Sequence, residues 1–395
     1  MVRLLGVVVA LVAAGVFGLL GATAASADSV YPLFGVAASD ANTAWVVGEN
    51  GTIEKTADGG TSWSVQTSGT TSQLNGVALA PGTTALWAVG ADGTILATTD
   101  GGTTWGARSS GTTATLYGVA AADASTAWAV GDGGTILKTT DGGASRSRQS
   151  VAASGALRAV SAVDATTAWA VGERGMVLRT TDGGSTWTAV TSWQSAFLAT
   201  SATHFWGVAA VGASTVWITG TVGPWSSAVT LESLDGGTTW RASVPFVRNG
   251  MAVRAVDASN LWIVGDAADA SRSDSGGAMW LNLTQGGPIF AGSAAPDLAV
   301  ASASTAWVVG GQGQIARTTD GGGSFGAQTT GTTAHLSGAS TAGGAVWASG
   351  ENGTVLRSAD GRPGRAAQPA CPRGCARSRR STRARRGRSE RTGRS

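Results

Sequence analysis

Seven aspartates recur in the same local setting, and they are the first candidates for chemistry. Asp58, Asp100, Asp141, Asp182, Asp235, Asp320 and Asp360 each follow a Thr or Ser by two positions and precede a glycine. Carboxylates can act as general acids, nucleophiles or calcium ligands. Each of these turns, however, holds one carboxylate, whereas a calcium loop needs about 6–8 oxygen ligands, usually several of them acidic. A lone Asp ahead of two glycines is a turn device: its carboxylate accepts backbone N–H bonds and the glycines adopt positive φ. The seven aspartates are therefore read as structural, and no metal site or cofactor is expected.

The remaining inventory limits catalysis further. His204 and His335 are the two histidines, and they lie far apart in the sequence. This leaves little for a metal cluster or a histidine-based triad. Sialidase-type chemistry needs a nucleophilic Tyr and several arginines on one carboxylate; Tyr31 and Tyr117 are the two tyrosines available. An inverting glycosidase needs two carboxylates across a cleft, roughly 6.5–9.5 Å apart. Glu173, Glu232, Asp257 and Asp266 could take part, but nothing in the sequence pairs them. Cys371 and Cys375 are the two cysteines, and both lie near the C-terminus.

The elements that position these residues come from a repeat. A Trp-x-x-Gly element recurs at Trp45, Trp87, Trp128, Trp169, Trp217, Trp262, Trp307 and Trp347, at intervals of 40 to 48 residues. That period fits four-stranded propeller blades. Each unit reads as Leu-x-Gly-Val, then an apolar strand with the Trp, then a strand such as Thr94–Thr99, then a strand beginning at the Trp of Thr-Thr-Trp. The expected fold is all-β: a β-propeller of four-stranded blades with eight repeat units, and seven blades as the fallback. Thr139–Arg146 has Arg146 where the last Trp belongs, and Thr318–Phe325 has Phe325. Repeat six looks degenerate, with Asp274 and Gly276 in place and Trp280 one residue late.

The turn Thr-x-Asp-Gly-Gly-Thr-Ser/Thr-Trp, at Thr56–Trp63, Thr98–Trp105, Thr180–Trp187 and Ser233–Trp240, resembles the Asp-box of bacterial neuraminidase repeats. With the Leu-x-Gly-Val and Trp-x-Val-Gly elements, residues 33–361 resemble the photosystem II stability/assembly factor-like propellers. That resemblance implies a non-catalytic scaffold whose partner is a membrane protein or its extracytoplasmic segment. Asp-box propellers also include sialidases, endoglucanases and sorting receptors, so the fold by itself does not choose a function.

Three regions divide the chain. Residues 1–27 read as a secretory signal peptide, with Arg3, an apolar run Leu4–Leu20 and Ala25-Ser26-Ala27 as the cleavage signal. The alternative is an N-terminal membrane anchor. Residues 28–361 form the propeller. Residues 362–395 form a basic tail of Arg, Ser, Ala, Gly and Pro, expected to be disordered. It is either an interaction tail or the product of a shifted reading frame. The tail carries +11 and the rest of the chain −8, so the net +3 does not describe a basic propeller. No nucleic-acid partner is expected. Ser29-Val30-Tyr31 could supply the strand that closes the ring.

The binding face is read from variation within the repeat. The residue after the first Leu should face the channel mouth, giving Phe34, Asn75, Tyr117, Arg158, Trp206, Arg254, Leu298 and Ser337. Longer loops in repeats four to six add Trp193, Phe197 and Trp225. Of the 16 Trp, Trp193, Trp206 and Trp225 fall outside the repeat's fixed positions. They can bind a partner or plug the mouth with their own loops. The leading reading is an exported, monomeric, non-catalytic propeller that binds a membrane or envelope protein through the mouth. The alternative is a carbohydrate-active protein, either a lectin-like binder of polysaccharide or a glycosidase.

Overall fold

The computed structural model describes residues 31–149, 155–196, 203–222, 227–243, 245, 247–266, 269–283, 297–328 and 330–358. Blade 3 shows how the repeat becomes structure. Its inner strand is Leu116–Ala121, its second Ala127–Gly131, its third Thr135–Thr139 and its outer strand Ser147–Arg148. They pair antiparallel in that order. The second strand is buried along its whole length, which is why its sequence is apolar without alternation.

Eight such units form an all-β propeller, spanning 33–65, 74–107, 116–148, 157–189, 204–243, 248–282, 297–328 and 336–358. These are blades 1 to 8. Blades 1 to 7 have four strands, and blade 8 has three among the described residues. Blades 5 and 6 also pair with each other through Ser227 and Arg248.

The joints between blades are built from the repeated tryptophans. In six blades a Lys or Arg on the third strand pairs across from the second-strand Trp and lies on its ring: Lys55, Lys138, Arg179, Arg272, Arg317 and Arg357. Several of these cations continue into the next blade. Lys138 Nζ donates to Gly183 O at 2.7 Å, and Arg179 donates to Gly236 O at 2.6 Å. The outer-strand Trp completes the joint: Trp63 packs edge-on against Trp347, and Trp240 against Trp169.

Each Asp turn holds itself together. Asp100 Oδ1 accepts the Thr104 N–H at 2.9 Å, Oδ2 accepts the Thr104 hydroxyl at 2.7 Å, and Thr98 donates its hydroxyl to the same carboxylate at 2.7 Å. Asp58, Asp141, Asp182, Asp235 and Asp320 repeat the arrangement. Asp360 lies outside the described residues. Repeat six is in register rather than shifted. Ser275 takes the aspartate's place and accepts the Met279 N–H at 2.9 Å, while Trp280 packs at the joint with blade 5.

The ring closes between blade 8 and blade 1. Ser337 Oγ donates to Leu33 O at 2.7 Å, and Arg357 Nε to Ala41 O at 2.9 Å. The Gly353 N–H donates to Tyr31 O, as Gly134 does to Gly155 O and Gly175 to Thr203 O at the other joints. Tyr31 thus occupies the connecting position between blade 8 and blade 1. Ser29 and Val30, expected to add the closing strand, lie outside the described residues.

The Asp turns carry a pH dependence. Hydrogen bonds, first from Thr186 and Thr239 respectively, hold Asp182 and Asp235 down to about 2. Asp100, Asp141 and Asp320 are lowered for the same reason. An unfolded Asp titrates near 3.9, so this stabilisation is complete above that pH and is lost as pH falls through the folded values. Thermal melts should show a Tm that is flat above about pH 5 and falls between about pH 4 and 2. The Asp182→Asn/Asp235→Asn protein should have a lower Tm at pH 7 and a shallower acid limb.

Candidate functional site

In blades 1 to 4 and 8 the inner strand has a bulge directly after its first Leu, as between Leu33 and Gly35, Leu74 and Gly76, and Leu157 and Ala159, and in blade 5 it follows Phe205. The bulged residue is freed from the ladder at the end of the strand beside the turn that joins strands two and three. This is the channel mouth. Register with the second-strand Trp fixes the equivalent position in seven of the blades. It is three residues before the partner of the Trp: among the described residues, Phe34, Asn75, Tyr117, Arg158, Trp206, Met251 and Ser337.

Two expected members are therefore displaced. Arg254 pairs with Trp262 itself, three residues deeper, and Met251 takes the mouth position with 36 % exposure. Leu298 pairs with Val308 and is fully buried core, and the count from Trp307 in blade 7 runs out of the described residues. Both repeats lack the Leu-x-Gly-Val motif, so their inner strands could not be aligned from it.

Arg254 has a different role inside the channel. It ion-pairs with Asp297 of blade 7 at 2.6 Å. Asp297 also accepts the Ala339 N–H of blade 8 at 3.0 Å. Burial pushes the Asp297 carboxyl up, opposed by Arg254 and these hydrogen bonds. One carboxylate thus links three blades where the blade 7 inner strand is shortest.

The mouth residues fall into two groups. Asn75 Nδ2 donates to Leu116 O at 2.8 Å, and Ser337 Oγ to Leu33 O; each ties its blade to the next. Phe34 is half-buried. Blades 3 to 5 instead carry a continuous cluster. The Arg158 guanidinium lies 4.3 Å from the Tyr117 ring centroid and 5.8 Å from that of Trp206. Glu173 forms an ion pair with it. His204 stacks on Trp206, with centroids 5.9 Å apart and planes 21° apart. Trp206 remains 37 % exposed.

The electrostatics hold the cluster in one arrangement. Burial disfavours the Arg158 charge, but the hydrogen bond and charge of Glu173 outweigh it and raise its pKa. The Arg158 hydrogen bond in turn lowers Glu173. Burial, then a hydrogen bond to Asp132, raises the Tyr117 phenol. Arg158 is thus fixed between two rings and an acid, with Trp206 still partly exposed. Five acids stand on turns at this end: Glu49, Asp92, Asp132, Glu173 and Glu351.

The acids considered for glycoside cleavage do not gather. Glu173 is in the mouth, Glu232 pairs with Arg241 at the outer strand of blade 5, and Asp257 caps a turn through Ser259 and Asn260. The Asp266 side chain lies outside what is described. Among the described residues no three His, Cys, Asp or Glu side chains gather as a metal site would require.

Residues 24–108 and 109–194 match the family model of the photosynthesis system II assembly factor YCF48. This part of the chain is similar to the photosystem II assembly factor family. The matched residues cover blades 1 to 4, where the repeat is most regular. The whole β-propeller is also similar to solved structures. YCF48 bound to a D1 peptide is 20% identical, with a TM-score of 0.55 over 76% of this chain and 98% of that one. YCF48 from Cyanidioschyzon merolae is 18% identical, with a TM-score of 0.55 over 76% and 99%. An ancestral GH74 enzyme is 14% identical, with a TM-score of 0.58 over 88% of this chain and 55% of that one. These structural likenesses show the fold. No curated protein matches the chain.

The described loop aromatics do not act together. Trp193, on the short 3-10 helix Ser192–Ser195, is 2 % exposed and meets Phe205 edge-on at 5.1 Å. Its ring lies against Gly175, which has φ +67° and where a Cβ would sit 2.8 Å from the indole. Trp193 is a packing residue, not an open contact. Phe197 and Trp225 lie outside the described residues. Met251, His204 and Asp132 were not expected at the mouth; register counted from the Trp would have found Met251.

Equilibrium denaturation should separate the two tryptophans. Trp193→Ala should cost about 3–5 kcal/mol, as for a buried Trp. Trp206→Ala should cost less than about 1 kcal/mol, as for a surface site.

Proposed function

We propose that this propeller is an exported, non-catalytic scaffold that holds an extended segment of a membrane or envelope protein at its channel mouth. The observation that carries this reading is the Tyr117–Arg158–Trp206 cluster. It is an aromatic face already fixed by a guanidinium and an acid, so it loses little side-chain freedom when a partner binds. Rigid Trp, Tyr and Arg groups are the usual energetic centres of protein interfaces. The blade 1–4 family match and the D1 peptide carried by a YCF48 structure support a peptide-like occupant. The surrounding acids favour a segment bearing positive charge.

Export rests on the sequence of residues 1–27. Cleavage after Ala27 would leave Asp28 as the first residue, three positions before the described structure begins at Tyr31. Mass spectrometry of the protein recovered from outside the cytoplasm should give an N-terminus at Asp28. An intact Met1 in the membrane fraction would replace export with anchoring.

The binding test uses a labelled D1 peptide and segments of envelope proteins in fluorescence polarisation. Trp206→Ala and Arg158→Ala should each weaken binding at least about tenfold, or 1.4 kcal/mol. Asn75→Ala, at a mouth residue tied to the next blade, should leave the affinity within about twofold. A panel of polysaccharides is run in parallel. Release of reducing ends would overturn the scaffold reading, and sugar retention lost in Trp206→Ala would make this a lectin-like module.

A further inference from the structure

The joint between blades 2 and 3 departs from the repeat at three positions together. The third-strand cation that covers the Trp in six blades is here Ala97, opposite Trp87. The outer-strand Trp of blade 3 is Arg146. The residue that reaches from the outer strand to the next blade's turn is Arg108, whereas other joints use Gln149, Val190 and Leu283 against Gly184, Gly237 and Gly322. Two guanidinium groups therefore enter a slot that is elsewhere filled by an indole and a neutral side chain.

They converge there. A Cβ placed on Gly143 would lie 2.9 Å from Arg146 Nη2, 3.2 Å from Arg108 Nε and 3.5 Å from the Ala97 methyl. Arg146 Nη2 and Arg108 Nε are buried and have no hydrogen-bond acceptor. The described ion pairs involve neither guanidinium. The nearby Asp141 is engaged by Thr139 and Ser145 within its own turn. Burial, and after it the Arg108 charge, pushes Arg146 down to about 10, so it remains charged at neutral pH. Beside the pair, a cavity of about 480 Å³ opens between Arg108–Gly111 and Gly143–Arg148, with Arg148 on its rim.

Two like charges held together with unfilled donors need a counter-charge. Water could fill the donors but would not neutralise the pair. The planar guanidinium matches tetrahedral and planar oxyanions through paired N–H donors. We propose that the joint of blades 2 and 3 is an oxyanion site, in which Arg108 and Arg146 grip a phosphate- or sulfate-type group that enters past Arg148. The group comes either as a free ion or as a phosphate-bearing lipid headgroup. This site lies on the outer wall and is independent of the mouth.

The test titrates the full chain with inorganic phosphate by calorimetry, and with vesicles of phosphatidylcholine with or without phosphatidylglycerol by sedimentation. Arg146→Trp restores the indole of the repeat, and Arg108→Gln copies the residue used at the next joint. Arg174→Asn is the charge control: Arg174 is exposed at a positive-φ position that Asn50 and Asn352 fill in other blades. All four proteins keep the Arg-rich C-terminal residues, so binding to those cancels. The expected result is saturable binding in one or both arms, weakened at least about tenfold by Arg146→Trp and by Arg108→Gln, and within about twofold of wild type for Arg174→Asn. Binding in the phosphate arm identifies a free ion, and binding in the phosphatidylglycerol arm alone identifies a headgroup. If Arg146→Trp fails to fold, Arg108→Gln decides. Absence of saturable binding in both arms, or losses no larger than in the control, would overturn the proposal.

Discussion

The ring depends on one repeated contact: a cation lying on the second-strand Trp of its own blade while reaching toward the next. Lys138 and Arg179 show it fully, each covering an indole and donating to a backbone carbonyl of the following turn. Such a contact ties the packing inside a blade to the position of its neighbour. Each cation–π component is worth about 0.5–2 kcal/mol, a small amount that is used many times. The Asp turn has a matching duty, since it holds the accepting glycine carbonyl in place. The conserved look of the repeat is thus the look of a joint, which explains why its carboxylates are spent within their own turns rather than presented to a substrate.

The fold was largely legible in the sequence because the joint residues recur at a fixed period. The Trp spacing gave eight units, and the Asp-Gly-Gly turns gave the strand boundaries. Legibility failed where side chains carry the register without the motif. Met251-Ala252-Val253 and Asp297-Leu298-Ala299 lack the Leu-x-Gly-Val glycine, so Arg254 and Leu298 were assigned three and two residues away from the mouth position. Repeat six looked out of phase because a serine, Ser275, does the work of an aspartate. In each case pairing with the second-strand Trp recovers the register that local resemblance loses.

The mouth cluster was half legible. Tyr117, Arg158 and Trp206 stood out as variable positions in a constant frame, and they do come together. Their partners did not stand out, because Glu173 and His204 belong to different local motifs that meet only when blades 4 and 5 pack. Trp193 looked like a surface aromatic by being outside the repeat. It is buried because the longer connection after blade 4 needs a core of its own, which Phe205 supplies. The irregular blades therefore contain both the open aromatic surface and the residues that pay for it.

The seam between blade 8 and blade 1 joins residues separated by 304 and 316 positions in the chain. Every other joint can form between neighbours as soon as both have been made. This one requires the first residues of the blade region to wait for the last, and bringing together such distant ends carries the largest loop entropy in the molecule. Assembly should accordingly run as an open arc that lengthens blade by blade and snaps into a circle at the end. Until then Trp347 and Trp63 remain unpaired on opposite lips of the gap.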